Sequence, residues 1–300
     1  MDHSFHTPGR TSTVLTRLKA MFPNAHIGTL RKMVADGRVK LDAVRVRTVN
    51  MPVSESAHIS IDSAPAESRL TDTNIIHSDA DILVYAKPAG MLTSTTRDET
   101  RPTLIAMLEK HINRQTPGGN IYLVHRLDRD ASGLLIFARN VKSLANLKMQ
   151  FRRHTITRRY QAWVHGTPGT ASAECNDKLA EDDSGRVFGS LTGKPARLHY
   201  RRVKSVGRHT LLDVELYTGR KHQIRVQLAI RGFPVVGDRV YGKADGQKRL
   251  LLHAVELIIH HPRTGQRMAF HKPPPADFHP RQATAPLPQK PPIKRKRRHK

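Results

Sequence analysis

Apolar residues at Val14, Leu15, Leu18, Met21 and Phe22 recur with a helical period, with Ser12 or Thr13 as a cap and Pro23 as a stop, predicting a short amphipathic helix over 13–22. A second helix follows, with Ile27, Leu30 and Val34 inward, Arg31, Lys32 and Arg38 outward, and Gly37 placed to end it. VKLDAVRV and AHISI alternate as strands, so residues 11–62 read as a small basic unit of helices and sheet, and SAPAESRLTDTN at 63–74 reads as a linker. The body, 75–280, opens with the near-continuous apolar strand DILVYAKPAG, broken at Pro88 and Gly90. Leu104, Ile105, Leu108 and Ile112 share a helical face at 102–113, and Val141, Leu144, Leu147 and Phe151 share another within NVKSLANLKMQF. IYLVHRL and GLLIFA read as strands flanking the turn DRDAS, LLDVELY as a further strand, HQIRVQLAIRG as a helix closed by Gly232, and RLLLHAVELII as a strand pair or one long bent strand. Strands outnumber helices and most connections are too short for βαβ crossovers, so the expected fold is α+β around a mixed, largely antiparallel sheet.

Composition narrows the partners. The chain has 300 residues, with 51 Lys+Arg against 25 Asp+Glu, a formal charge of +26. The last twenty residues, RQATAPLPQKPPIKRKRRHK, hold eight basic and no acidic side chains, and the preceding residues keep 43 against 25, or +18. The excess therefore belongs to the body as well as to the tail, pointing to a polyanion, most simply nucleic acid. An anionic membrane is the weaker option, since no basic amphipathic helix with a broad apolar face occurs. Only fifteen residues are Phe, Trp or Tyr, which disfavours a sheet that stacks many bases. A single cysteine, Cys175, excludes intramolecular disulfides and thiolate-rich zinc sites and suits a reducing compartment. With no signal-like start and no apolar run of membrane length, the expectation is a soluble, cytoplasmic, monomeric protein with no membrane association. Residues 281–300 are expected to be a disordered basic arm that tethers RNA, in preference to a nuclear address.

Two segments concentrate candidate chemistry. In HRLDRDASG, Arg126 and Arg129 flank Asp128 at a chain reversal; the bland reading, an ordinary acidic turn with solvated neighbours, has even standing on pattern alone. A carboxylate that serves as base or nucleophile must stay ionised, which neighbouring guanidinium groups favour. In YTGRKHQIR, Arg220, Lys221, His222 and Arg225 crowd the start of a helix, where cations oppose the macrodipole and call for an anion, either a phosphate or Asp128 itself. The alternative there is a surface that only grips phosphates. His260-His261 lacks metal-site spacing and reads as a solvated strand end; KPAG at 87–90 has too few glycines for a phosphate loop. FRRHTITRRY reads as a phosphate-facing run, from which Tyr160 can face a cleft.

HRLDRDASGLLIFARN, taken with TGRKHQIR, resembles the RluA family of pseudouridine synthases, whose signature reads approximately HRLDxxTSGLL. DILVYAKPAGMLTS, RRYQAWVHG, YTGRKHQIRVQLAIRGFPVVGDRVYG and LLLHAVELIIHHPRTG are similar, in the same order, to that family's successive blocks over about 75–280. The first sixty residues resemble an S4-type RNA-binding domain, above all TLRKMVADGRVKLD. The resemblance implies Asp128 as catalytic aspartate, Tyr160 as active-site tyrosine and Arg220 as active-site arginine, the last holding Asp128 ionised by a charge-assisted pair. Arg126 matches an arginine that enters the RNA where the target nucleotide leaves; Arg129, Lys221, His222, Arg225, Arg31, Lys32 and Arg38 are RNA-binding candidates. Ala131 stands where Thr is usual, and Lys221 and Gln227 where Thr and His are frequent.

The implied reaction detaches uracil from C1′ of a uridine in RNA, turns it and rejoins it through C5, an isomerisation that needs no cofactor and no metal. The implied target is large-subunit ribosomal RNA ahead of transfer RNA. Two rivals stand beside it. A non-catalytic RNA-binding or ribosome-assembly factor would keep the fold and charge; a glycosylase or nuclease would need a water-activating partner for Asp128 that the sequence does not supply.

Overall fold

The computed structural model describes residues 12–35, 39–42, 44–46, 48–54, 56–61, 72–94 and 103–281. The expected tail beyond Arg281, the linker up to 71 and Arg38 lie outside them.

The N-terminal residues build β1 (Ser12–Thr13), α1 (Val14–Met21), α2 (Ile27–Ala35), β2 (Val39–Leu41), β3 (Val44–Arg45), β4 (Pro52–Val53) and β5 (Ile59–Ile61). Thr13 caps α1, its hydroxyl accepting the Thr16 amide proton at 3.2 Å. The inward positions of both helices, Val14, Leu18, Leu30 and Val34, close on Val39, Val46, Val53 and Ile59 as one small core. β2 lies between β3 and β5, and β1 pairs with β4.

The body comprises β6 (Ile75–Ser78), β7 (Ile82–Lys87), α3 (Leu104–Gln115), β8 (Tyr122–Leu123), β9 (Ser132–Ala138), α4 (Val141–Arg152), β10 (Thr157–His165), β11 (Ser172–Glu181), β12 (Val187–Gly189), β13 (Lys194–Val206), β14 (His209–Leu216), α5 (Gln223–Ile230), β15 (Leu252–His260) and β16 (Arg267–His271). One sheet runs β12-β11-β13-β14-β10-β15-β9-β7-β6, with β16 added to β15 and β8 to β9. Among the described residues every strand pairing is antiparallel except that of β9 with β15, so the mixed, largely antiparallel α+β sheet is the observed fold. Among the described residues, no helix is long and apolar enough to cross a membrane.

The parallel junction lies at the centre. Ser132 and Gly133 of β9 pair with His253 and Ala254 of β15. Gly133 sits at φ +114°, and a Cβ there would collide with the Ala254 backbone, so only glycine allows this approach. α3 packs Leu104, Leu108 and Ile112 into the main core with Leu135, Phe137, Tyr160 and Ala162, while α4 packs Leu147 with Ile82, Ile136 and Leu257 into a second cluster.

Of the two alternatives for RLLLHAVELII, the single strand is the one observed, as β15. One expectation changes. IYLVHRL forms a strand only at Tyr122–Leu123, because the free edge of β9 is divided along its length: β15 takes Ser132 and Gly133, and β8 takes Phe137 and Ala138. Between them the Ile136 amide donates to Nε2 of His125 at 3.2 Å, so an imidazole replaces a strand partner and the chain leaves the sheet just before Asp128.

Candidate active site

Asp128 lies in the reversal between β8 and β9, and its neighbours are tied down by the segment after β7. Thr93 donates its hydroxyl proton to the Leu127 carbonyl at 3.0 Å and accepts the Leu127 amide proton at 3.4 Å. On the other side of Asp128, the Arg129 carbonyl accepts from the Gly90 amide at 2.9 Å and from Nζ of Lys87 at 3.0 Å. Lys87 is 1% exposed and also donates to the carbonyls of Pro88 and Met91, so three carbonyls take all three ammonium protons. Burial pulls its pKa down to about 7, while the charges of Asp128 and Asp130 act to raise it. KPAGMLT is thus a brace for the Asp128 loop, not a phosphate cradle.

Facing that loop is Arg225, on the buried face of α5. Its Nη1 donates to Oδ2 of Asp128 at 3.1 Å; its Nε and Nη2 grip Oδ2 and Oδ1 of Asp238 at 2.8 and 2.9 Å. Asp238 is fully buried, and its Oδ1 also accepts the amides of Val240 and Tyr241 at 2.9 and 3.1 Å. Burial would raise the Asp238 pKa, but Arg225 and these amides outweigh it and hold it below the ordinary carboxylate value. Burial would likewise lower the Arg225 pKa, and the two carboxylates reverse that. The Asp128 side chain, 21% exposed, therefore keeps one edge open to a ligand while a fully engaged guanidinium fixes the other.

Tyr160 of β10 closes another side. It is 5% exposed, and its phenol pKa is raised by burial, with Arg158 opposing and the Asp128 charge adding, which puts ring and carboxylate in one electrostatic neighbourhood. No hydrogen-bond partner among the described residues engages its hydroxyl. Arg158 itself donates through Nη2 to the carbonyls of Leu216, Tyr217 and Thr218 at 3.1–3.4 Å and packs over Phe151, fastening the turn that leads into α5.

His222 occupies the N-cap of α5 with left-handed backbone, φ +52°, a conformation that costs a non-glycine residue about 1 kcal/mol. Its Nδ1 lies 2.8 Å from the Tyr241 hydroxyl, whose oxygen accepts the Val187 amide proton at 3.0 Å. The Tyr241 ring also receives the Arg225 guanidinium at 5.2 Å from its centroid.

The geometry reassigns several expected roles. Arg220 does not hold Asp128: it is exposed, and its Nε donates to the Pro195 carbonyl at 2.9 Å, whereas Arg225, one helical turn later, makes that pair. The cause is local. Gln223 accepts the Arg220 amide at 3.0 Å, winding the turn so that residue 220 points outward and residue 225 falls on the inner face. Arg225 is correspondingly 4% exposed and committed to carboxylates, not to RNA phosphates. Lys221 is likewise occupied, by Glu181 at 2.5 Å and the Gly185 carbonyl at 2.6 Å, so it pins the β11–β12 hairpin beside the site. Arg129 forms a two-point pair with Asp130 at 2.9 and 3.0 Å. Arg126 is exposed beside Asp128 with no partner among the described residues, and Arg31 is exposed on α2; nothing is described of the Lys32 side chain.

Ala131 is 1% exposed in the main core, where a hydroxyl would need a partner. Gln227 is wholly buried, its amide donating to the carbonyls of Cys175 and Ala196 and to Asp177 at 2.7–3.1 Å, which locks α5 to β11 and β13. His261 is buried rather than solvated: its Nδ1 accepts the amides of Arg263 and Thr264 at 3.3 and 3.2 Å, which leaves the proton on Nε2, 3.2 Å from Asp79. Although Asp79, Asp81 and His261 cluster, that tautomer has no lone pair to offer a cation, and Asp81 is taken up by Arg263, Asn140 and Ser143. Sequence reasoning gave no role to Asp238, Tyr241, Lys87 or Thr93; the signal for the first two was the turn GDRVYG, an acid and a phenol in a buried reversal.

A sequence model of the RNA pseudouridylate synthase family matches residues 81–230, which hold Asp128, Tyr160, His222 and Arg225. The chain is 40% identical over 202 residues to an uncharacterized RNA pseudouridine synthase of Chloroflexus aurantiacus, spanning 64% of this chain and 63% of that one. It is 32% identical over 264 residues to ribosomal large subunit pseudouridine synthase D of Zymomonas mobilis, spanning 82% of this chain and 81% of the relative. Among solved structures, human RNA pseudouridylate synthase domain containing 4 shares the fold at a TM-score of 0.60 and 20% identity, over 71% of this chain and 92% of that one. A carboxylate fixed at one edge and open at the other, on this sheet and with these relatives, establishes that the chain belongs to the RNA pseudouridylate synthase family and is an RNA pseudouridine synthase.

Proposed function

We propose that this enzyme isomerises specific uridines of large-subunit ribosomal RNA, with Asp128 acting on the ribose of an extruded nucleotide. The observation that carries the reading is the chain Asp238–Arg225–Asp128, in which a buried acid orients a guanidinium and the guanidinium fixes one edge of the working carboxylate. Breaking the C1′–N1 bond builds positive character on the sugar and negative charge on the uracil, as at the anomeric centre of a glycoside. Asp128 meets the sugar side, either by adding to C1′ or by removing the C2′ proton. Water at this point would leave an abasic site, and a single carboxylate already occupied by Arg225 is poorly suited to activating it. Tyr160 offers a buried ring for the base and an unengaged hydroxyl for the proton shift at C5.

A stacked uridine hides C1′ and C5, so the nucleotide must leave the stack at a cost of a few kcal/mol, met by contacts elsewhere. Arg126, exposed and unengaged among the described residues two positions before Asp128, suits entry into the gap. The N-terminal unit of two helices on a small sheet, with Arg31 outward, serves as an S4-like RNA grip. Ribosomal RNA as the target rests on the relatives named for the large ribosomal subunit. The test is in vitro: purified protein is incubated with unmodified large-subunit ribosomal RNA and, separately, with bulk transfer RNA. Carbodiimide adducts are then read as reverse-transcription stops. New stops confined to ribosomal RNA are expected; stops only in transfer RNA would move the target, and none in either would remove it.

A further inference from the structure

His222 stands beside the reacting centre without a partner on its outer nitrogen. The Tyr241 oxygen already accepts the Val187 amide at 3.0 Å, and among the described residues the sole acceptor within reach of its own proton is Nδ1 of His222, 2.8 Å away. Donation from the phenol to Nδ1 gives that proton a protein partner, and in this arrangement the imidazole proton sits on Nε2. The pair is T-shaped, with centroids 5.6 Å apart, and Tyr241 is itself held under the Arg225 guanidinium, so the ring that sets the tautomer is coupled to the arginine that sets Asp128. Nε2 has no partner among the described residues and is not sealed from solvent.

Charge around the ring favours the neutral form. Burial lowers the His222 pKa; Asp128 and Asp238 act to raise it, and Arg225 and Lys221 to lower it further. Asp128 acts on the imidazole through its charge, and the arginine that holds Asp128 also lies over the Tyr241 ring, so His222, Tyr241, Arg225 and Asp128 share one neighbourhood. The backbone points the same way, for a left-handed histidine at the mouth of a helix is a conformation that surrounding structure must enforce.

We infer that the Nε2–H of His222 is a hydrogen-bond donor to a carbonyl oxygen of the extruded uracil, with Tyr241 as the positioning residue that fixes its tautomer. The inference rests on Asp128 as the residue that acts on the ribose. A neutral donor suits a carbonyl, since phosphates are met by the abundant guanidinium and ammonium groups of this chain. Negative charge gathers on the uracil oxygens as the glycosidic bond opens, so an N–H donated to either one tightens as the reaction proceeds, and donated to O4 it also selects uracil over a base with an amino group there.

Single-turnover rates on RNA carrying uridine, 2-thiouridine or 4-thiouridine at the target position test this, with wild type, His222→Asn, Tyr241→Phe and Asp128→Asn. Asn tolerates the left-handed backbone but is too short to present a donor at the Nε2 position. The expected result is that one thio substitution slows wild type, and that His222→Asn slows the uridine reaction by about 100-fold and loses the thio effect. Tyr241→Phe falls between them with the thio effect reduced, and RNA affinity is unchanged in all. A His222→Asn enzyme as fast as wild type, a wild type indifferent to both thio groups, or equal thio effects in wild type and His222→Asn would overturn the inference. An active Asp128→Asn enzyme would instead overturn the reading of Asp128, leaving the thio comparison readable.

Discussion

Nη1 of Arg225 reaches Oδ2 of Asp128 at 3.1 Å across 97 positions of sequence, while the remaining donors of the same guanidinium are locked onto buried Asp238. Arg225→Lys keeps the charge but not the fork that serves two carboxylates. It is expected to lower the single-turnover rate by about 100-fold, which corresponds to about 2.7 kcal/mol of transition-state stabilisation. It should also reduce stability by about 3 kcal/mol, because Asp238 is left buried without its two-point partner. Arg220→Ala, at an exposed position, should change the rate by no more than about 0.5 kcal/mol in barrier terms. Rates and urea midpoints of both variants check this; an Arg220 effect larger than the Arg225 effect would return the role to Arg220.

Lys87 tests whether the loop needs its brace. In Lys87→Met the carbonyls of Pro88, Met91 and Arg129 lose a common donor. Leaving buried acceptors unmet costs about 1–3 kcal/mol. Urea unfolding is expected to register a loss in that range, and the single-turnover rate should fall while RNA affinity, read by filter binding, holds.

Acid stability should depend on two buried imidazoles. Burial depresses the pKa of His125 to about 3 and that of His253 to about 4, both from an unfolded value of 6.5. The unfolded chain therefore takes up these protons first, and the two histidines cost stability progressively as pH falls from about 6.5 toward 3 and 4, with no effect above 6.5. His125→Gln keeps an acceptor for the Ile136 amide but does not titrate. Its urea midpoint should decline less steeply than that of wild type between pH 6.5 and 4.5; parallel curves would contradict the assignment.

Asp128 was legible because HRLDRDASGLL resembles a family signature, since on pattern alone an acid between two arginines had even standing with an ordinary turn; the sheet was legible because alternation and short connections leave few other folds. The partner of Asp128 was not. Four cations at 220–225 are equivalent on paper, and which one turns inward is decided by Gln223 capturing the Arg220 amide and by an acid thirteen positions beyond Arg225. His125 read as part of a strand since its neighbours are apolar; its imidazole instead fills a gap in the β9 edge, which depends on where β8 and β15 end. Lys87 in an apolar strand gave no hint of its role, which exists only because residue 129 folds back over it. Local pattern carried the elements, and long-range pairing carried the site.

The central assignment is tested most directly by Asp128→Asn, which preserves shape and removes the carboxylate. Pseudouridine formation is measured on the target RNA by carbodiimide adduct and primer extension, alongside RNA affinity in the same buffer. The account predicts RNA binding indistinguishable from wild type with no pseudouridine formed. An Asp128→Asn protein that modifies its RNA at the wild-type rate would contradict it.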